Sequence, residues 1–279
     1  MQDRVSHDQV AKQTPRDDAL VQVARDGAIA TLTLNRPKAM NALSLGMIAA
    51  LTKEIEAVSR DRDIYAVILA ANGRAFCAGH DLKEMTARRA DDDRGRAFFE
   101  ETMRDCATMM QSIVNSPKPF IAAVHGIATA AGCQLVATCD LAVASSEAQF
   151  ATPGVNIGLF CSTPMIALSR NVSRKQAMEM LLLGDMLPAD AAKDYGLVNR
   201  VVEAGHVMAE AMAMARQIAD KSPLTVAIGK EAFYRQLEQP LVEAYDYAAG
   251  VMVKNMMARD AEEGIGAFIE KREPKWTGE

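Results

Sequence analysis

Two loops concentrate the chemistry this chain could perform. Asn72 to Met85, NGRAFCAGHDLKEM, and His125 to Leu135, HGIATAAGCQL, each follow an apolar run and are built largely from small residues. Small residues at a strand end let a backbone approach its ligand closely, and a helix start offers N–H groups with no partner inside the helix. Two such loops facing each other would form an oxyanion hole, a pair of donors for an oxygen that gains negative charge. The competing reading is tight packing of both loops against a sheet. The His80 side chain could hold a substrate carboxylate or titrate near neutrality. Cys161 could accept an acyl group or shuttle a proton, but a nucleophilic thiol needs a base or cation beside it and none is adjacent in sequence, so core packing competes. His125, next to Gly126 in an apolar stretch, reads as a buried and satisfied imidazole, while Asp81 and Asp140 read as caps or turn-forming carboxylates.

The elements that must position these loops follow from the spacing. Leu20 to Arg25 and Ala28 to Leu34 flank Asp26-Gly27, a hairpin turn signal. Ser44 to Arg60 carries apolar residues at helical spacing behind a Ser that can cap it, and Tyr65 to Ala71 is a strand. A helix at Gly95 to Ile113, a strand at Phe120 to Val124, a helix at Ala131 to Thr138 and a strand at Leu141 to Ala144 continue the alternation, which implies an α/β fold with a largely parallel sheet covered by helices. Beyond Pro164 the pattern is almost wholly helical, interrupted by one strand at Leu197 to Val202. The expected organisation is a flexible tail at 1–18, a core at 19–204 and a helical region at 205–279, together one integrated domain.

Composition narrows the partners. The chain has 279 residues, 49% hydrophobic and 24% charged, enough to bury one large core. Its 31 basic and 36 acidic residues give a net charge of -5 without a basic stripe, which argues against nucleic acid. The one stretch long enough to span a bilayer, Phe120 to Cys139, holds His125, Gln134, two glycines and two threonines, so a buried strand, turn and helix explain it better and no membrane is expected. Five cysteines without a CxxC suggest neither disulfides nor a metal site. With a start that lacks an apolar leader, they lead to an expectation of a cytoplasmic location. There is no GxGxxG after a strand, no GxxxxGK[ST], no HExxH and no GxSxG, which removes support for dinucleotide, P-loop, zincin and hydrolase chemistry.

NRPKAMNALS at 35–44, AFCAGHDLKEM at 75–85, AAVHGIATAAGCQLVATCDLAVAS at 122–145 and EGIGAFIEKREPKW at 263–276 resemble the enoyl-CoA hydratase and isomerase (crotonase) superfamily. Within it, AGHDLKE and FATPGVNIGLFCSTP look most like the subgroup called enoyl-CoA hydratase domain-containing protein 3. The resemblance implies a spiral of ββα units followed by a helical trimerisation region. It also implies acyl-CoA thioesters as ligands, with coenzyme A as part of the substrate and no prosthetic group, and homotrimers or dimers of trimers. The backbone N–H groups of His80 and Ala131 would hold the thioester oxygen as it gains enolate charge; an Ala at 131 serves if its φ is negative. Lys38, His80, Asp81, Leu82 and Lys83 would line the coenzyme A path, with Phe268 near the adenine and Lys271 near the phosphates across a subunit interface.

The two glutamates that hydratases of this superfamily use to add water fall on Gln134 and Gly154. An amide cannot ionise near neutral pH and glycine has no side chain, so efficient hydration is not expected. Restoring Glu at both positions is predicted to raise it. Two other readings follow from the same substitutions. The AGHD, TPGVN and tail segments also resemble, less completely, methylmalonyl-CoA decarboxylase, in which loss of carbon dioxide itself generates the enolate. A non-catalytic acyl-CoA binder is the second.

Overall fold

The computed structural model describes residues 18–279, so nearly all of the expected 1–18 tail lies outside the described residues. β1 (Val21–Asp26) and β2 (Ile29–Leu34) pair antiparallel, with Gly27 supplying the positive φ, +56°, that the turn between them requires. Ser44 caps α1 (Leu45–Arg60) by accepting from the Met47 N–H at 3.2 Å. The chain continues through β3 (Ala66–Ala71), β4 (Ala75–Cys77), α2 (Leu82–Ala87), α3 (Arg96–Asn115), β5 (Phe120–Val124), β6 (Ile127–Thr129), α4 (Ala131–Thr138), β7 (Leu141–Ser145) and β8 (Gln149–Ala151). Next come α5 (Pro164–Leu168), α6 (Arg174–Leu183), β9 (Leu187–Pro188), α7 (Ala189–Tyr195) and β10 (Arg200–Val202). Four helices close the chain: α8 (Val207–Ala219), α9 (Pro223–Gln236), α10 (Leu241–Met256) and α11 (Arg259–Glu270).

The strands form two sheets. The larger runs β1-β2-β3-β5-β7-β10, all parallel beyond the first pair, and the smaller runs β4-β6-β8-β9. Each of β3, β5 and β7 in the large sheet is followed by one short strand in the small sheet and then by helix, so every turn of chain adds a strand to both sheets. This is the expected spiral of ββα units. Period-two alternation splits β3 between two cores. Ala66, Ile68 and Ala70 pack with Val207, Ala211 and Met214 of α8, while Val67 and Leu69 join Leu32, Ile48, Leu51, Met109 and Phe76 inside the spiral.

The helical C-terminal region is tied to the spiral by one buried polar knot. Lys230 on α9 donates to the carbonyls of Ile113 and Lys118, each at 2.9 Å, and to Asp140 at 2.7 Å, which uses all three of its ammonium protons. Asp140 also accepts from the Phe120 N–H and the Tyr234 hydroxyl. Further along, Asp260 receives bonds from Ser222, Thr277 and Gly278 and so holds the last residues against α11.

Candidate active site

His80 and Ala131 are brought together by close backbone contact. A Cβ built on Gly79, at φ +94°, would lie 2.9 Å from the Ala130 Cβ and 3.4 Å from the Ala131 nitrogen. Only glycine fits there, for both conformation and space. Gly132 has a parallel role, since a Cβ on it would fall 2.0 Å from the Cys77 carbonyl oxygen. The start of α4 is thus pressed onto the end of β4.

Neither amide at this junction has an acceptor among the described residues. Leu43 and His80 form an isolated parallel bridge in which the Leu43 N–H donates to Gly79 at 2.8 Å and the Asp81 N–H donates to Leu43 at 3.1 Å. A parallel ladder engages alternate residues, so the N–H of His80, skipped between the two, is turned away from Leu43. Ala131 opens α4, where no earlier carbonyl of the helix can receive its N–H. Ala131 has a negative φ as the first residue of α4, and the unusual conformation falls one residue earlier, on Ala130 at φ +51° and ψ -118°. The sequence raises the question of φ at Ala131, and the structure moves it to Ala130.

The segments that meet at Ala130 carry buried polar side-chain atoms that have no partner among the described residues. The Ala130 N–H donates to the Ala151 carbonyl at 2.9 Å, which puts Thr152 alongside, and the Gln134 N–H donates to the Ala130 carbonyl at 3.0 Å, one turn into α4. Gln134 Oε1, Thr152 Oγ1 and both His80 ring nitrogens are buried without a hydrogen-bond partner. Burial pushes the His80 imidazole below its ordinary pKa, opposed by the Leu43 carbonyl, which lies near the ring but outside hydrogen-bonding geometry. His80 is therefore neutral at physiological pH.

Gly154 is closed. A Cβ there would meet the Leu159 carbonyl oxygen at 2.6 Å and Cys161 Sγ at 2.9 Å, so the thiol fills the space into which a side chain at 154 would project. A Glu at 154 would first have to displace this carbonyl and this thiol, a cost that weighs against the expectation that Glu at both 134 and 154 raises hydration. Burial raises the Cys161 pKa, with a backbone bond from Gly154 opposing, and no cation or base is bonded to the sulfur. It is a protonated thiol rather than an activated nucleophile.

The remaining candidates divide. Asp81 accepts from the Lys83 and Glu84 N–H groups as the cap of α2 and receives Arg36 at 2.6 Å. Leu82 and Lys83 are exposed beyond it, and Lys38 is exposed on the short Pro37–Ala39 turn, whose Pro37 abuts Gly73. Phe268 is exposed on α11 and Lys271 ends that helix at φ +55°, both away from the His80 and Ala131 junction on a helix that packs on α9 and α10. His125 Nε2 meets the Gly73 carbonyl at 2.7 Å, so it is satisfied, although at an exposed bond.

Known proteins match this fold throughout. A crystal structure of an enoyl-CoA hydratase from Mycobacterium smegmatis is 52% identical with a TM-score of 0.88, covering 92% of this chain and 98% of that one. The crystal structure of human enoyl coenzyme A hydratase domain-containing protein 3 is 44% identical with a TM-score of 0.87, covering 92% of this chain and all of that one. The mouse protein "Enoyl-CoA hydratase domain-containing protein 3, mitochondrial" is 45% identical over 258 residues, 92% of this chain and 84% of its own length. Its name, shared by the human relative, points to mitochondria and overturns the cytoplasmic expectation. Unpaired thiols require only a reducing compartment and do not say which one. The enoyl-CoA hydratase/isomerase pattern matches residues 24–279, and the chain belongs to that family.

Proposed function

We propose that the chain binds an acyl-CoA thioester with its carbonyl oxygen between the N–H groups of His80 and Ala131, and that this pair stabilises an enolate without help from an ionised carboxylate. The observation that supports it is the junction itself: two amides without acceptors, held together by the contact of Gly79 with Ala130 and Ala131. As charge moves onto the thioester oxygen, both donors strengthen, and the positive end of α4 adds to them. Gln134 and Gly154 supply no proton acceptor, so hydration of crotonyl-CoA is expected to be far below the ~1 to 1,000 per second of ordinary enzymes. Turnover within that range would refute the reading.

A chemistry that makes its own enolate suits such a site, and decarboxylation of a malonyl-type thioester is the second reading. It is favoured by the neutral His80 ring, whose unpartnered N–H can meet the departing carboxylate without neutralising it. Release of carbon dioxide from malonyl- or methylmalonyl-CoA above the buffer rate is the expected result. Tight acyl-CoA binding in calorimetry with no turnover of any thioester would support a non-catalytic binder instead. No prosthetic group enters either reading.

A trimer or dimer of trimers belongs to the same proposal. Leu241, Val242, Tyr245 and Met257 on or just after α10, and Phe268 on α11, are each more than 70% exposed, a concentration of apolar surface that calls for a partner. A second copy would cover it and bring Phe268 and Lys271 toward a neighbour's coenzyme A. Lys271→Ala is expected to weaken coenzyme A binding, with less salt dependence and unchanged assembly. A monomer by light scattering at micromolar concentration would sink the assembly claim.

A further inference from the structure

Beyond the Leu43 bridge, the segment Arg36 to Ser44 carries a further set of bonds to the His80 loop. Asn41 is fully buried in the left-handed region at φ +53°, and its side chain is saturated. Its Nδ2 donates to the carbonyls of Asn72 and Ala75, both at 2.8 Å, and its Oδ1 accepts from the Arg36 N–H at 2.8 Å. The Ala78 N–H donates to the Met40 carbonyl at 3.1 Å, and the two Leu43 bonds flank His80. Arg36 Nη1 reaches Asp81 at 2.6 Å and the Ala42 carbonyl at 3.3 Å, while Glu84 accepts from the Leu45 N–H at 3.1 Å. The loop is therefore bolted before, at and after His80, while the His80 N–H itself has no acceptor among the described residues.

We infer that Asn41 and Arg36 are positioning residues for the His80 amide: they hold the Met40 to Leu43 backbone as a template strand whose parallel bridge forces that N–H to face Ala131. The inference rests on the proposed oxyanion site. Neither residue touches the thioester. Asn41 sets the template by tying it to both ends of the turn before β4, and Arg36 ties it to Asp81 immediately after His80. A donor pair aimed at one oxygen loses much of its effect when one donor is displaced by about 1 Å, so fixing that backbone matters more than the identity of the side chain at 80.

The test separates aim from fold with two ligands that share the coenzyme A moiety. Acetoacetyl-CoA carries a thioester oxygen that takes enolate charge, whereas S-butyl-CoA, a thioether, has no carbonyl for the donors to meet. Their affinities are measured by calorimetry for the wild type, Asn41→Gly, Arg36→Met and Arg36→Lys. Glycine keeps the positive φ at 41, so only the side-chain bonds are removed. The expected result is about a tenfold loss of acetoacetyl-CoA affinity in Asn41→Gly and Arg36→Met, with S-butyl-CoA unchanged within about twofold and partial recovery in Arg36→Lys. If Asn41→Gly does not fold, the two Arg36 variants decide alone. Equal losses for both ligands, or none for either, would overturn the positioning role. A wild type that does not favour acetoacetyl-CoA over S-butyl-CoA would overturn the oxyanion reading itself, and the inference with it.

Discussion

Two buried polar clusters in this molecule are built on opposite principles. Around Lys230 every ammonium proton is used: three acceptors meet the ammonium group, Asp140 also gathers the Phe120 N–H and the Tyr234 hydroxyl, and the Phe120 ring centre lies 5.5 Å from the cation. On the segments that meet at Ala130, by contrast, Gln134 Oε1, Thr152 Oγ1 and two imidazole nitrogens are buried without a partner among the described residues, and so are the His80 and Ala131 amides. Leaving a buried polar group unsatisfied costs about 1–3 kcal/mol, so the second arrangement persists only because the surrounding backbone imposes it. The saturated cluster joins helices to the spiral, and the unsaturated segments lie where the acyl-CoA site is proposed.

The largest effect should come from breaking the saturated cluster. Lys230→Met leaves a buried carboxylate and two carbonyls without their cation, and the expected loss of unfolding free energy is about 3–5 kcal/mol by denaturant titration. Acyl-CoA affinity should change little in the folded fraction. Adding Asp140→Asn removes the stranded charge and should recover part of the loss. If the single variant costs less than about 1 kcal/mol, the knot does not hold the C-terminal helices and the contrast fails.

Next in size is the attempt to fill the unsaturated cluster with carboxylates. Gly154→Glu must displace the Leu159 carbonyl and the Cys161 sulfur, and overpacking of this kind costs about 1–3 kcal/mol. Gln134→Glu alone should fold normally. The double variant is expected to hydrate crotonyl-CoA no faster than Gln134→Glu, and a hydration rate that needs both glutamates would show that the 154 loop opens to admit one.

His80 offers a pH test. Burial depresses its pKa in the folded state, so as pH falls below about 6.5 the unfolded chain takes up the proton first and stability declines. The loss should be confined to the range between the unfolded and the lower folded value. His80→Leu removes both unpaired nitrogens and strands no partner, so it should be neutral or stabilising by about 1 kcal/mol and should flatten this acid limb. A limb unchanged in His80→Leu would assign it to other groups.

The two clusters also differ in how far they could be read from residues alone. Strand and helix limits in the large sheet followed from Asp26-Gly27, the Ser44 cap and apolar runs, because local turn chemistry and periodicity agree there with the tertiary packing. The small sheet was not legible: β4, β6 and β8 are three residues long and β9 two, too short for a period to show. The small-residue loops announced a close backbone approach, but which amide is free depends on the Leu43 bridge, a contact across 37 positions. Asn41 reads locally as a turn former, and two of its three bonds reach residues, Asn72 and Ala75, that only the fold brings near. The closure of Gly154 depends on a thiol seven positions away whose direction no spacing reveals.

The smallest expected effect is the most local. Ala130 holds φ +51° and ψ -118°, a region that suits glycine and costs other residues about 1–3 kcal/mol. Ala130→Gly relieves that strain, but glycine also gives the unfolded chain more freedom, worth about 0.4–1 kcal/mol in the opposite direction. The methyl group in addition occupies the space against Gly79, where a built Cβ would approach it to 2.9 Å, so its removal leaves the two loops less tightly wedged. The net gain should be no more than about 1 kcal/mol, a rise of roughly 2–4 °C in thermal midpoint for a chain near this size. Affinity for acetoacetyl-CoA should fall at the same time, because the wedge that presses Ala131 toward His80 is gone. A variant that is more stable and binds less well would place the strain in the service of the donor pair. One that is less stable would instead mean that the Ala130 methyl outweighs its strained backbone through packing, which would make this corner another saturated structural joint.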